Sequence, residues 1–576
     1  MRIRLGYTAL ALLFLVLGVY YPSIFAGVNS VDDQRMLLQL ESMQNIDFFS
    51  LFVPHNSFYY RPLLMLSFWF DKVMWNLEPS FMHLENILLH ACNSLLVFFL
   101  IKRFFPASVA IYAPLLGSAL FALHPINTES VNWISGRTDL LASFWLLLSL
   151  HLQLYAWNRH HRGLVFLASI FFLLAVASKE ISAFYLLVAL YFFWGWPSRS
   201  ENTHPRIWRI QAAFVFASPV IIGGLSYLIK RLLSFGLSGD KGLLYILDKF
   251  NYGPFDIIRV SLKVFGFYVK KLLVPVPLNF AIVEINDGYV ILGALMLLLV
   301  TLWVRSKNLP TQFTVVSLVL ISPAVLIALT SVAWTPVAER YLYFPSFFLS
   351  MGVAGWLTEK NAKKSRAGVW LLGAIALLLL PATVVTVQRN IIWQSNLSLY
   401  EDTLAKSPTF TSLKNELGIA LIANGKLREA EKILDSGIAT HGTWISGLLY
   451  VNKARVLVER GEFVTARNLL LDVVGKKISG REDVLRMLAR IDEKRLLEAK
   501  DPEEVEFVRE QLIQSYERLF SATKDPISLY RTGQLLISAG DKKEAARFFS
   551  EAYERAPQDA YYRQAAKKLA EKMRRE

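Results

Sequence analysis

The chain has 576 residues, 54% of them hydrophobic and 13% aromatic, with a mean hydropathy of +0.38; soluble domains hold roughly 45–50% apolar residues, so an ordinary soluble globule is excluded and an integral membrane protein is implied. The excess of 61 Lys and Arg over 46 Asp and Glu does not call for nucleic acid as a partner, because many of these cations lie in short loops between apolar runs, where the positive-inside rule accounts for them. Cys92 is the single cysteine and excludes an intramolecular disulfide.

Apolar stretches of about 17–25 residues, enough to cross about 30 Å of hydrocarbon, recur from residue 7 to residue 387 and then cease. The predicted spans are 7–27, 83–101, 109–123, 140–157, 163–178, 181–196, 211–229, 288–304, 313–331, 341–357 and 367–387. The opening MRIR and its apolar run read as a retained first helix rather than a cleaved signal peptide. With Arg2 and Arg4 inside, the inner loops collect Lys102 and Arg103, then Arg159 and Arg162, then Arg199, Arg206 and Arg209. Arg305 and Lys307 follow, then Lys360, Lys363, Lys364 and Arg366. The stretch 258–278 is apolar but carries Lys263, Lys270 and Lys271, so it reads as an interfacial or re-entrant segment. About eleven spans result. Loops 28–82, 124–139, 178–180 and 334–340 then share the outer side with the tail. This arrangement suits a bacterial inner membrane with its site and repeat domain on the periplasmic or extracellular face; an endoplasmic reticulum membrane with a lumenal site obeys the same charge rule.

The outer face gathers polar groups in an otherwise greasy chain. Asp32 and Asp33 follow the first span, where adjacent carboxylates are costly unless they meet water, a cation or a substrate hydroxyl. Arg61 stands among aromatics before Pro62, and His83, Asn86, His90 and Asn93 fall on nearly one face of a helix. A lone His or Asn in a span is usually a packing hydrogen bond, but four in a stripe predict a polar lining. The run FALHPINTESVNWISGRTDLLA at 121–142 adds His124, Asn127, Thr128, Glu129, Asn132, Arg137 and Asp139. Pro125 stops one helix and Thr128 or Asp139 suits the cap of the next, yet punctuation does not require His, Glu, Arg and Asp together. Lys179 and Glu180 sit between two spans, and Glu339 and Arg340 precede YLYFP. Arg231, Lys241, Lys270, Lys271 and Arg340 are outer-face cations suited to a phosphate. No HExxH pattern, Gly-rich phosphate loop or nucleophile elbow occurs. No cofactor is called for, and a divalent cation on the acidic pair is left open.

After Arg389 the chain turns charged, and the predicted domains are 1–389 and 390–576. In the tail Gly425, Gly461 and Gly540 are each followed five residues later by Ala430, Ala466 and Ala545. That spacing marks tetratricopeptide repeats of about 34 residues, most complete at Gly533, Gly540, Ala545, Phe549, Ala552 and Pro557. A partial repeat containing Trp393 and Tyr400 precedes them, and 481–520 reads as one degenerate helix pair. Such solenoids hold extended polypeptides on a concave face; the plainer reading is an assembly scaffold. The fold class is all-α, a polytopic helical membrane domain followed by an α-solenoid.

The acidic pair, YRPL at 60–63, the H-x-x-N helix at 83–90, the run 121–142, SKE at 178–180, ERYLYFPS at 339–346 and the trailing repeats together resemble the transmembrane and tetratricopeptide-repeat protein O-mannosyltransferases, polytopic glycosyltransferases of the GT-C class. The resemblance spans nearly the whole chain. It implies a polyprenyl or dolichyl phosphate mannose donor, a Ser or Thr hydroxyl of a protein as acceptor, and Asp32 of the acidic pair as base. It departs from the family pattern at Asn127 and Thr138 and in its short repeat array. Physical reasoning adds that a leaving lipid phosphate calls for positioned cations, here Arg340 with Lys270 or Lys271 in support. The remaining polar residues, Arg61, His83, Asn86, His90, His124, Glu129, Arg137, Asp139, Lys179, Glu180 and Glu339, are candidates to hold sugar or acceptor. The competing readings are an O-antigen-type ligase or polymerase and a non-catalytic membrane scaffold with a peptide-binding repeat domain. The ligase predicts a large late outer loop and no acidic pair after the first span.

Overall fold

The computed structural model describes residues 2–43, 48, 51, 60–105, 112–195, 206–236, 252–330, 333–362, 366–440, 445–476 and 478–575. Arg199, Lys241, Lys363, Lys364 and residues 44–47, 49–50 and 52–59 of loop 28–82 lie outside them. The chain divides into two compact units, Met1–Ser407 and Pro408–Glu576.

The first unit is helical, and among the described residues six helices have the length and composition to cross a membrane: Gly6–Phe25, Pro79–Phe104, Ile134–Arg159, Ile207–Ser234, Leu309–Leu329 and Gly373–Ile392. Shorter apolar helices, Ala113–Ala122, Arg162–Ser178, Glu180–Tyr191 and Tyr289–Trp303, fall on four more of the predicted spans. The eleventh, 341–357, falls on the helix Tyr343–Ala362, whose Tyr343, Phe347, Phe348, Met351 and Ala354 lie in the unit's main core. The span 313–331 is broken after Val319 and restarts at Ser322 with Pro323 in its first turn; proline gives up no hydrogen bond at that position.

Residues 254–273 form one helix bearing Asp256, Arg259, Lys263, Lys270 and Lys271, and it is not among the six. It packs closely on Tyr289–Trp303, because a Cβ on either Gly266 or Gly293 would collide with the facing backbone. Small residues at such a contact let helices gain van der Waals packing where hydrocarbon supplies no hydrophobic drive.

Among its described residues the second unit has four helix pairs, a closing helix and one short parallel pairing of Ile445–Ser446 with Ile478–Ser479. The pairs are Thr411–Ala423 with Leu427–Ala439, Gly447–Glu459 with Phe463–Val474, Arg481–Glu498 with Pro502–Thr523, and Ile527–Ser538 with Lys542–Arg555. Arg563–Arg575 caps the array. Gly425, Gly461 and Gly540 turn the chain with φ of +72°, +80° and +83°, a conformation that disfavours a Cβ. Ala430, Ala466 and Ala545 are fully buried on the second helices. The all-α class and the repeat array are as the sequence implied, and 481–523 is a true helix pair.

The unit boundary lies later than residue 390. Helix Asn396–Lys406 is tied into the first unit: Arg389 pairs with Asp402 at 2.5 Å, Lys406 Nζ donates to the Leu278 carbonyl at 2.8 Å, and Asn279 Nδ2 donates to Ser407 Oγ at 2.9 Å. Trp393 and Tyr400, read from sequence as a partial repeat, instead surround Phe280 with ring centroids 5.2 and 6.4 Å away. Aromatic spacing along the chain does not reveal which core the rings enter.

Candidate active site

The run 121–142, which the sequence placed among the polar groups of the outer face, is buried almost throughout. His124 organises its start. Its Nδ1 accepts from the Ile126 N–H at 3.3 Å and its Nε2 donates to the Leu272 carbonyl at 3.0 Å, which joins the run to the end of helix Pro254–Leu273. Burial lowers the His124 pKa to about 4, so the ring is neutral and both bonds are satisfied together. Thr128 Oγ1 donates to the Pro125 carbonyl at 2.7 Å rather than capping the next turn. Asn127 accepts from Ser346 and donates to the Phe121 carbonyl, and Asn132 donates to Asn390. These groups are structural braces.

Three ion pairs fan out from the same run and its neighbours. Glu129 accepts from the Arg340 guanidinium at 2.5 Å and from the Arg340 backbone N–H at 3.0 Å. Asp139, in the first turn of helix Arg137–Arg159, accepts from Lys179 at 2.5 Å. Arg61, just ahead of Pro62 and its helix, forks onto Glu180 at 2.9 and 3.2 Å. Burial raises the pKa of Glu129, opposed by Arg340, and burial lowers that of Lys179, opposed by Asp139. Asp139 Oδ2 has no hydrogen-bond partner although it is buried, so one acceptor in this cluster is unfilled.

The two members of the acidic pair differ. Asp33 is 1% exposed; it accepts from the Ser135 N–H at 3.0 Å, from the Ser135 hydroxyl and from the Asn29 N–H. Burial pushes its carboxyl up to about 7, against those hydrogen bonds. Asp32 is exposed and caps no backbone N–H. The protein around it nonetheless raises its pKa through desolvation, and the Arg340 and Arg61 guanidiniums oppose the rise. Asp33 therefore anchors the start of helix Asp33–Ser42 to the buried run, and Asp32 is exposed, within electrostatic reach of Arg340 and Arg61.

Other candidates lie elsewhere in the bonding. Arg137 is 1% exposed and pairs with Asp71 at 2.6 Å and Glu85 at 3.0 Å, with Asn86 Oδ1 and the Met82 carbonyl completing its fork. Asp71 was missed from sequence, although an acid inside an apolar helix is the signal for such a partner. His90 bonds Tyr343 Oη at 2.7 Å and the Ala122 carbonyl at 3.0 Å, so with buried His83 and Asn93 it lies within the helix packing rather than a lining. Lys271 directs its ammonium to Glu339 at 2.6 Å and to the Pro275 and Pro277 carbonyls; three donors are thereby filled. Lys270 donates to the Val276 carbonyl, and Arg231 to Tyr227 Oη at 3.1 Å. Glu339 also accepts from the Asn279 N–H at 3.0 Å. Among the described residues no cluster of three or more His, Cys, Asp or Glu suits a metal ion.

A membrane-type helical unit with an exposed acid near two partly buried, carboxylate-paired arginines, followed by a tetratricopeptide-repeat array, defines the class of this protein. Its relatives sharpen that. The chain is 26% identical over 384 residues to the Caenorhabditis elegans protein O-mannosyl-transferase F38B6.6, covering 65% of this chain and 52% of that protein. It is 24% identical over 600 residues to the mouse protein O-mannosyl-transferase TMTC3, covering 94% of this chain and 63% of that one. The chain is thus similar to the transmembrane and tetratricopeptide-repeat O-mannosyltransferases, as its motifs implied, and spans between half and two thirds of these relatives' length. No family model matches. Among solved structures, the tetratricopeptide-repeat protein YrrB aligns with 34% of this chain and 89% of its own at 15% identity and a TM-score of 0.23.

Proposed function

We propose that this protein is a membrane glycosyltransferase that moves mannose from a polyprenyl-phosphate-linked donor to Ser or Thr hydroxyls of a polypeptide, on the extracytoplasmic side of its membrane. The observation that carries the reading is the contrast within the acidic pair: Asp33 is buried and bound to Ser135, whereas Asp32 is exposed, within electrostatic reach of Arg340 and Arg61. A carboxylate so placed accepts the proton of an attacking hydroxyl. The hydroxyl oxygen bonds to the anomeric carbon as the bond from that carbon to the phosphate oxygen breaks. The electron pair leaves on the lipid phosphate, which the guanidiniums stabilise. A single displacement of this kind inverts the anomeric configuration. The unfilled Asp139 oxygen supplies an acceptor for a sugar hydroxyl. The names of the relatives support the same chemistry, and the repeat array suits the holding of an extended acceptor.

The test uses purified wild type and Asp32→Asn with polyprenyl phosphate mannose and Ser/Thr-rich peptides, read by acceptor mass. One added hexose with the wild type, absent from an equally folded mutant, is the expected result. Absence of both transfer and donor hydrolysis in the wild type would sink the reading.

A further inference from the structure

Tyr341 was not among the residues the sequence singled out, since an aromatic at a membrane surface ordinarily reads as a belt residue. The structure places it otherwise. It belongs to the short turn Glu339–Leu342 ahead of helix Tyr343–Ala362 and is only 9% exposed. Its ring lies against two cations, with the Arg340 guanidinium carbon 5.0 Å and Lys179 Nζ 5.4 Å from the ring centroid. Arg340 also stacks on Trp133 at 5.0 Å. The charged groups nearest the phenol are Arg340, Glu129, Arg61 and Asp139, and two of them, Arg340 and Arg61, also act on Asp32. No other hydroxyl-bearing ring in the described residues touches both Arg340 and Lys179.

We propose that Tyr341 donates its hydroxyl to the anionic phosphate of the lipid donor, between Arg340 and Lys179, and so completes a phosphate seat from which Lys271 is excluded. The inference rests on the donor reading above and deepens it. Both cations already have carboxylate partners, and the phenol adds beside them a neutral donor that needs no counterion displaced. A phenol held by two cation–ring contacts is oriented before the ligand arrives, which reduces the ordering cost of binding. Lys271 is occupied by Glu339 and two carbonyls, so its ammonium holds the Pro275–Pro277 loop rather than the ligand.

The test compares wild type and Tyr341→Phe for binding of a short isoprenyl monophosphate and of the uncharged isoprenol of equal length. The Phe ring keeps both cation contacts and loses only the hydroxyl. Wild type should prefer the phosphate over the alcohol, and Tyr341→Phe should lose about tenfold to a hundredfold of that preference, the scale of one hydrogen bond to a charged group, with alcohol binding unchanged. An undiminished preference in Tyr341→Phe overturns this inference and leaves the donor reading standing. A wild type that does not prefer the phosphate overturns both. Should Tyr341→Phe fail to fold, a structure of wild type with the isoprenyl monophosphate decides: Tyr341 Oη within about 3 Å of a phosphate oxygen supports the seat, and a phosphate bound elsewhere refutes it.

Discussion

Arg340 grips Glu129 twice, once through its guanidinium at 2.5 Å and once through its own backbone N–H at 3.0 Å, across 211 residues of sequence. The double bond pattern fixes the turn Glu339–Leu342 against the buried run, so the charge facing Asp32 and the backbone carrying it are positioned by one carboxylate. Glu129 is 1% exposed. Its removal leaves a largely buried guanidinium without a counterion, which in general costs about 3–5 kcal/mol. Glu129→Ala is therefore expected to lower the thermal midpoint in detergent markedly, and Glu129→Gln, which keeps an acceptor, to lower it less. Equal midpoints for wild type and Glu129→Ala would show that the pair does not hold the turn.

The acidic pair should separate by experiment. Asp32 is exposed, so Asp32→Asn should change stability by no more than about 0.5 kcal/mol while reducing transfer by about 10²–10⁴, the usual worth of a general base. Because its carboxyl is raised above the ordinary aspartate value, transfer should decline on acidification with a midpoint above that of a free aspartate. A pH–rate profile on kcat/KM reads this directly.

Asp33 makes the opposite prediction. Its folded pKa of about 7 exceeds that of a free aspartate, about 3.9, so between those two values the folded state binds more protons than the unfolded one. Its contribution to stability is therefore greatest at low pH and is lost as pH rises through about 7. Thermal midpoints of wild type relative to Asp33→Asn should fall between about pH 4 and about pH 7 and level off above that, a trend that a solvated Asp33 would not show.

Arg137 is expected to tolerate no substitute. Its guanidinium reaches Asp71, Glu85, Asn86 and the Met82 carbonyl at once, and the point charge of lysine cannot reproduce a planar fork. Arg137→Lys should yield much less monodisperse protein on size exclusion, and Arg137→Met, which leaves Asp71 buried beside Glu85, less still.

In the repeat unit, Gly540→Ala should destabilise by about 1–2 kcal/mol, since φ of +83° places a Cβ against the following carbonyl. Ala substitution at exposed Lys543, in the next helix, serves as the control and should change the unfolding midpoint little.

Much of this was legible in the residues. The five-residue Gly-to-Ala spacing located the repeats because turn conformation and small-residue packing are local requirements that recur with each unit. The degenerate stretch was correctly read as a helix pair for the same reason. Trp393 and Tyr400 were misassigned because an aromatic carries no record of which core it enters. The stripe His83, Asn86, His90 and Asn93 has one face by helical period, yet period does not say whether that face meets a cavity or another helix.

The amino-acid order by itself determined a membrane-rich helical unit, a repeat tail and a concentration of charged groups between spans, because hydropathy, charge and turn chemistry act over neighbouring residues. Only the tertiary structure decided which charges neutralise one another. Glu129 meets Arg340, Asp139 meets Lys179, Arg137 meets Asp71, and Asp33 is sealed on Ser135 while Asp32 stays open. Those choices depend on desolvation and on contacts between residues far apart in the chain, and neither is written in the identity of a residue or its neighbours.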